Sequence, residues 1–265
     1  MALAEKRLFL LDMDGTIYLS ETLFDGTKDF LRYVRESGGR YLFLTNNSSR
    51  GVEGYMEKLS RMGIPTAPED YLTSVDAAID HLRRFHAGKK CYVFGTRAFY
   101  GQLQTAGIPV TDRPEDDVDI LLCGFDRELT FRKLEDACIL LNRGVTWLAT
   151  NPDWVCPTWY GSVPDCGSVC RMLTTATGRK PLFLGKPQPA MAELALRRTG
   201  FSPEQAVMIG DRLYTDVACG INAGIDSIFV LSGEGTEADI AQYDIHPTWI
   251  FSDIAALYRQ LEETL

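Results

Sequence analysis

Two short stretches place aspartates at the ends of apolar runs. In residues 8–19, LFLLDMDGTIYL, Asp12 and Asp14 close the run one residue apart. In residues 206–217, AVMIGDRLYTDV, Gly210 breaks the strand pattern, Asp211 leads a turn, and Asp216 falls in the helical segment behind it. If the first strand continues through residue 14, its side-chain period of two points Asp12 and Asp14 to one side. Like charges that close repel, and a divalent cation is the simplest relief. Hard oxygen ligands from Asp12, Asp14 and Asp211 suit Mg²⁺, which keeps several of its waters. Helix caps and turn acids are the ordinary use of aspartate in such places, Asp216 included, but three of them at strand ends favour a metal.

A third run, RYLFLTNNSSR, ends in Thr45, Asn46 and Asn47. Their hydroxyl, amide and backbone groups can seat phosphate oxygens, or cap a helix. Lys186 stands between Gly185 and Pro187, where the proline restricts the chain and argues for a placed charge rather than a loose one. Taken together, these residues predict phosphoryl chemistry. One carboxylate attacks phosphorus, Mg²⁺ offsets its repulsion with the phosphate, and the second carboxylate handles the proton.

The elements that must position these groups alternate along the chain. RLFLLDMD, GTKDFLRYVRESGG, RYLFLTNN and RGVEGYMEKLSRMG read as strand, helix, strand, helix. The alternation returns near the C-terminus with PQPAMAELALRRTG, AVMIGD, DSIFVLS and WIFSD before a last helix. The fold class is therefore α/β, a doubly wound parallel sheet covered on both faces, with ligands beyond the carboxyl ends of the strands. Gly39, Gly63, Gly107, Gly200 and Gly224 stand where helix C-caps are expected. Between roughly 75 and 180 a second series, CYVFG, DILLCG and TWLAT with the helix FRKLEDACILLNRG, is long enough for a smaller inserted α/β domain. The expected division is a discontinuous core of 1–76 and 181–265 and an insert of 77–180.

Composition narrows the function. The formal net charge of -9 over 265 residues disfavours nucleic acid and anionic membranes as partners. Asp12 interrupts the N-terminal apolar stretch too early for a signal peptide or a membrane span. Seven scattered cysteines lack the pairing of a zinc site or disulfide framework and are read as reduced core thiols, which places the protein in the cytoplasm. Cys166 and Cys170 have the i, i+4 spacing of helix packing. Asn46 and Asn47 match the glycosylation pattern only by chance, and His81, His86 and His246 lie outside every motif.

At this level the chain resembles the haloacid dehalogenase superfamily of phosphatases, in particular its NagD and 4-nitrophenylphosphatase-like branch. DMDGT, LTNNS, GKPQP and GDRLYTD occur in the expected order, and ATNPD with PDCGSV, within 149–169, looks like that branch's inserted cap. The resemblance implies a Rossmann-like core, a small-molecule phosphate ester as substrate and Mg²⁺ as cofactor. It makes Asp12 the nucleophile that becomes an aspartyl phosphate, and Asp14 the general acid for the leaving group and then the base for water. It assigns the metal to the side chains of Asp12 and Asp211 and the backbone carbonyl of Asp14. Thr45 and Lys186 would hold phosphoryl oxygens, Asn46 and Asn47 would shape the seat, and Asp216 would steady Lys186 or the metal's waters. A homodimer through the cap is compatible with it.

Competing motifs are weaker. DMDGT lacks the glycine placement and the closing glutamate of a calcium loop, with Leu23 in the glutamate's place. SGEGTEA would turn Glu234 and Glu237 toward a dinucleotide's pyrophosphate, and no G-x-x-x-x-G-K occurs. Three functions share an aspartyl phosphate: a phosphatase of sugar, nucleoside or aryl phosphates, a phosphosugar mutase, and a non-catalytic phospho-accepting switch. Asp14 has no task in the switch, and an insert of alternating strands and helices after LTNNS differs from the helical cap of related mutases. Within the insert, Trp154, Trp159 and Tyr160 are core or substrate contacts. The loop 151–168, with Trp159 and Asp165, is expected to cover the strand ends and select the leaving group.

Overall fold

The structure, a computed structural model, describes residues 2–263. The chain divides into two compact units, Met1–Thr45 with Val52–Leu72 and Lys186–Leu265, and Asn46–Gly51 with Thr73–Gly185.

The first unit is built on β1 (Leu8–Leu11), β2 (Arg40–Thr45), β3 (Tyr71–Thr73), β4 (Ala206–Gly210), β5 (Asp226–Val230) and β6 (Trp249–Phe251), in the order β6-β5-β4-β1-β2-β3. The pairings from β6 across to β2 are parallel. A parallel sheet covered on both faces needs strands that are apolar throughout, and the four residues of β1 are all buried. On one face Phe9, Leu11, Tyr41, Phe43, Val207, Ile209, Ile228 and Val230 join a core with Phe30 and Val34 of the helix Thr27–Glu36 and with Ile254, Leu257 and Leu261 of the helix Ile254–Glu262. Phe9 meets Phe30 edge-on, with ring centroids 5.4 Å apart. Each such side chain contributes about 1.5–3 kcal/mol by leaving water. On the other face, Leu8, Leu10, Leu42, Leu44 and Met208 are equally buried. Parallel pairing brings the carboxyl ends of β1, β2, β4 and β5 to one edge, the usual ligand edge of such sheets.

The second unit repeats the design on a smaller scale. Its parallel sheet runs Leu182–Phe183, Thr146–Ala149, Ile120–Cys123, Cys91–Phe94, Val110–Thr111. The helices Phe131–Arg143 and Cys166–Thr177 contribute to one core, while Ser74–Phe85 and Arg97–Thr105 contribute to another. An antiparallel hairpin, Val155–Thr158 with Gly161–Pro164, projects Trp159 at its tip, 94 % exposed.

The structure refines several sequence expectations. The compact units change over along the chain at 72/73 and 185/186, near the expected 76/77 and 180/181, and residues 46–51 group with the second. At the end of the helix Thr27–Glu36 the left-handed residue is Gly38 (φ 74°) rather than Gly39. Gly210 does not break its strand but is its last residue, paired with Phe229. Of the seven free cysteines, Cys138 and Cys156 are only partly buried, while Cys166 and Cys170 pack in the core of the second unit. Among the described residues no helix is long and apolar enough to cross a membrane.

Candidate active site

β1 ends at Leu11, yet the Asp12 N–H still donates to Ile209 O at 2.9 Å, so the ladder fixes Asp12 against β4 for one residue more. Beyond it the chain turns at Gly15 (φ 90°), whose N–H donates to Tyr18 O at 2.8 Å. Period-two geometry therefore fails between residues 12 and 14. Asp14 is exposed, and its carboxylate is not part of the acidic group at the strand ends. That group is Asp12, Asp211 and Asp216, with ligand oxygens all within 4.8 Å of one another. The turn after Leu11 thus sets the Asp14 side chain apart from this group, and Asp216 stands in it instead.

Lys186 is the counterweight. Its ammonium, 4 % exposed, donates to Asp12 Oδ1 at 2.5 Å, to Asp216 Oδ1 at 2.6 Å and to Leu44 O at 3.3 Å. Asp216 is held in turn from Arg212 N and Thr215 Oγ1, both 3.3 Å from Oδ2, in the wide helical turn Leu213–Val217. A Cβ on Gly210 would fall on the Asp216 carboxyl group, so the strand can end here only as glycine.

Asp211 is held by backbone. Glu234 N donates to Oδ2 at 2.8 Å, and Gly235 N donates to the Asp211 carbonyl at 3.0 Å. Its other oxygen, Oδ1, is buried and has no hydrogen-bond partner. An orphaned carboxylate oxygen is costly unless something positive meets it. Burial pushes Asp211 up to about 6, helped by Asp216 and opposed by the Glu234 amide. Burial also raises Asp12; Lys186 opposes it, Asp216 and Asp211 reinforce it, and the outcome is about 7. For Lys186, burial works downward, but Asp12 and Asp216 outweigh it and hold the ammonium above its ordinary value. Two carboxylates about 5 Å apart repel by roughly 3 kcal/mol at an effective dielectric of about 20. Three carboxylates against one ammonium, with one oxygen unpartnered, fit an oxygen-seeking divalent cation.

Thr45, the last residue of β2, is buried with Oγ1 3.5 Å from the Tyr55 hydroxyl. Asn46 and Asn47 belong to the second unit. Asn46 Nδ2 donates to both oxygens of Asp153, at 3.3 and 3.1 Å, and Asn47 Oδ1 accepts from Ser49 N and Oγ. Asp165 is also committed within that unit. Only 6 % exposed, it caps the helix Cys166–Thr177 through Cys166 N at 2.5 Å and accepts from Asn151 Nδ2 at 3.0 Å on the same Oδ1. The carboxylate proposed for substrate contact is an N-cap in the fold. Trp159 and Tyr160 pack edge-on, centroids 5.1 Å apart, at the exposed hairpin tip.

Sequence reasoning missed the loop that follows β5. Ser232 Oγ donates to Gly15 O at 2.7 Å, Gly233 and Gly235 press on Asp211, and Glu234 pairs with Arg212 at 2.8 Å while accepting from the Tyr214 hydroxyl at 2.9 Å. The run SGEGTEA was visible only as a poor dinucleotide fingerprint, since its contacts with Asp211 are made by backbone amides.

Known proteins place this arrangement. Residues 9–109 match the family model for haloacid dehalogenase-like hydrolases, and residues 183–257 match a second HAD-hydrolase-like model. An acid sugar phosphatase of Staphylococcus aureus is 33 % identical over 97 % of this chain and 98 % of its own. The structure of a 4-nitrophenylphosphatase from Thermotoga maritima superposes with a TM-score of 0.92 at 37 % identity, covering 98 % of both chains. A glycerol phosphate phosphatase from Mycobacterium tuberculosis, in complex with magnesium, has a TM-score of 0.89 at 32 % identity over 97 % of this chain and 78 % of that one. The chain belongs to the haloacid dehalogenase-like hydrolases. Within them it falls in the NagD and 4-nitrophenylphosphatase-like branch, and it is a phosphoric monoester hydrolase.

Proposed function

We propose that this phosphatase is Mg²⁺-dependent and hydrolyses small phosphomonoesters, such as sugar, nucleoside or aryl phosphates, through an aspartyl phosphate on Asp12. The observation that carries the reading is the unpartnered, buried Oδ1 of Asp211 beside Asp12, with Lys186 already engaged by Asp12 and Asp216. Asp12 and Asp211, with the carbonyl of Asp14, would hold the ion, which would offset the charge repulsion between the Asp12 carboxylate and the phosphate. A magnesium complex of the Mycobacterium tuberculosis relative supports this choice of cation.

Asp12 supplies the attacking oxygen. Its rise to about 7 reflects burial among negative charge, which a cation would relieve. Lys186 fixes the orientation of Asp12 from Oδ1 and offers its positive charge to the phosphoryl oxygens, with the Thr45 hydroxyl as a second donor. Asp14, exposed beside the nucleophile, is free of the acidic group and suited to exchange protons with the leaving group and then with water. Asn46 and Asn47 follow Thr45 directly in the chain and would shape the phosphate seat, as the family resemblance implies. The partner is a small phosphate ester rather than nucleic acid or membrane, in keeping with the net charge of -9. Self-association through the 77–180 region is tested by the hydrodynamic mass of the chain with and without that region's surface substitutions.

The names of the relatives, acid sugar, 4-nitrophenyl and glycerol phosphate phosphatases, favour hydrolysis over a mutase or a phospho-switch. A metabolite panel assayed for inorganic phosphate tests it, with Mg²⁺ and with excess chelator. Phosphate release that needs Mg²⁺ is expected; an isomerised product, or stable phosphorylation without turnover, would replace hydrolysis with the other two readings.

A further inference from the structure

Asp211 is gripped from two sides by backbone. A Cβ on Gly15 would fall on its carboxylate, and so would a Cβ on Gly233. Ser232 Oγ ties these two loops together through Gly15 O at 2.7 Å. Between them, Glu234 N takes Oδ2 at 2.8 Å and Gly235 N takes the main-chain carbonyl at 3.0 Å, while Oδ1 is left without a partner. Outside the grip, Glu234 is braced by Arg212 at 2.8 Å and by the Tyr214 hydroxyl at 2.9 Å, both from the GDRLYTD run. A carboxylate free to rotate would present either oxygen; one whose Oδ2 is consumed by a fixed amide presents only Oδ1.

We propose that residues 232–235, the loop after β5, form a positioning clamp that turns Asp211 so that Oδ1 faces the divalent cation, with Gly233 and Ser232 as the residues that set its approach. The inference rests on the Mg²⁺-dependent reading above. It gives the glycines and the serine of SGEGTEA a task that dinucleotide binding did not, and it gives Arg212 and Tyr214 a part in holding Glu234. Supporting groups of this kind commonly change metal affinity by about 10–100-fold when removed.

The test is Mg²⁺ binding by calorimetry on the intact protein without substrate, so that the readout is independent of turnover. Gly233→Ala should weaken Mg²⁺ binding by about tenfold or more, because the methyl displaces the Asp211 carboxylate. Ser232→Ala removes one hydroxyl and should weaken it by a smaller factor, of about threefold, in a protein whose circular dichroism is unchanged. Ser232→Thr keeps the hydroxyl and should return toward wild type. At saturating Mg²⁺, KM for an aryl phosphate should be nearly unchanged in Ser232→Ala, which separates a metal defect from a general one. Wild-type-like Mg²⁺ affinity in both Gly233→Ala and Ser232→Ala would overturn the clamp. A wild-type protein that binds no Mg²⁺ would instead overturn the functional reading beneath it.

Discussion

Replacing Lys186 with methionine isolates the electrostatic logic of the site. Met has the length to fill the space but no charge, so Asp12 Oδ1 and Asp216 Oδ1 lose contacts of 2.5 and 2.6 Å. Asp216 is 1 % exposed and Asp12 19 %, so water can restore little of that loss at Asp216. Breaking a buried pair by removing one partner costs about 3–5 kcal/mol. For a domain of this size, about 2–4 °C accompanies each kcal/mol, so melting of the metal-free protein should fall by roughly 6–20 °C. The pH dependence carries the sign. Burial already places Asp12 above its ordinary value, and loss of the ammonium removes what opposes that rise. A carboxyl raised in the folded state binds protons that the unfolded chain does not, so its penalty is full above the folded value and fades as pH falls toward the unfolded one. The unfolded chain cancels when the two proteins are compared, so the deficit of Lys186→Met measured by scanning calorimetry should shrink as pH falls toward about 7, the folded value of Asp12 with Lys186 in place, and level off below it. A loss below about 2 °C, or a deficit that grows toward acid, would refute the reasoning.

Other consequences are simpler to measure. Asp165→Ala should destabilise the second unit by about 1–3 kcal/mol in urea, since it removes an N-cap and leaves the buried Asn151 amide one partner short; a neutral change would deny the capping role. Trp159→Ala, at an exposed tip, should leave stability within about 0.5 kcal/mol, and if the hairpin meets substrate it should reorder the ranking of phosphate esters while Mg²⁺ dependence stays; an unchanged ranking would restrict Trp159 to the surface. Asp226 accepts from the fully buried Lys6 at 2.5 Å and from Thr248; burial works upward on it, but these bonds prevail and lower it. That contribution is present above the ordinary aspartate value and is lost as pH falls below about 4. Asp226→Asn should therefore unfold more easily near neutrality, with the gap to wild type closing in acid; a constant gap would contradict it.

The sequence made the strands legible because β1, β2, β4 and β5 are buried on both faces and read as unbroken apolar runs, and their polar terminators Asp12, Thr45 and Asp211 stand out against that background. For Lys186, Gly185 and Pro187 argue for a placed charge, but its partners Asp12 and Asp216 are distant along the chain and only the fold brings them to it. Asp14 could not be placed, because the period of two holds only while the strand does, and it stops at Leu11. Asp165 is hard to read for a different reason: a capping carboxylate and a ligand-binding one look alike until the helix Cys166–Thr177 shows which N–H it accepts from. The grip on Asp211 escaped notice since it is built from the amides of Glu234 and Gly235, and main-chain donors carry no side-chain signature.

Turnover by the proposed route requires covalent attack by Asp12, and trapping the phosphorylated protein tests that most directly. Asp14→Asn keeps the nucleophile but impairs the proton transfer that releases it, so rapid acid quenching with an aryl phosphate and Mg²⁺ should accumulate phosphoenzyme. Peptide mass spectrometry should place the phosphoryl group on Asp12, and the Asp12→Asn protein, treated alike, should carry none. Phosphate release by Asp12→Asn at the wild-type rate, full turnover in excess chelator, or a phosphoryl group on any residue other than Asp12 would contradict the account.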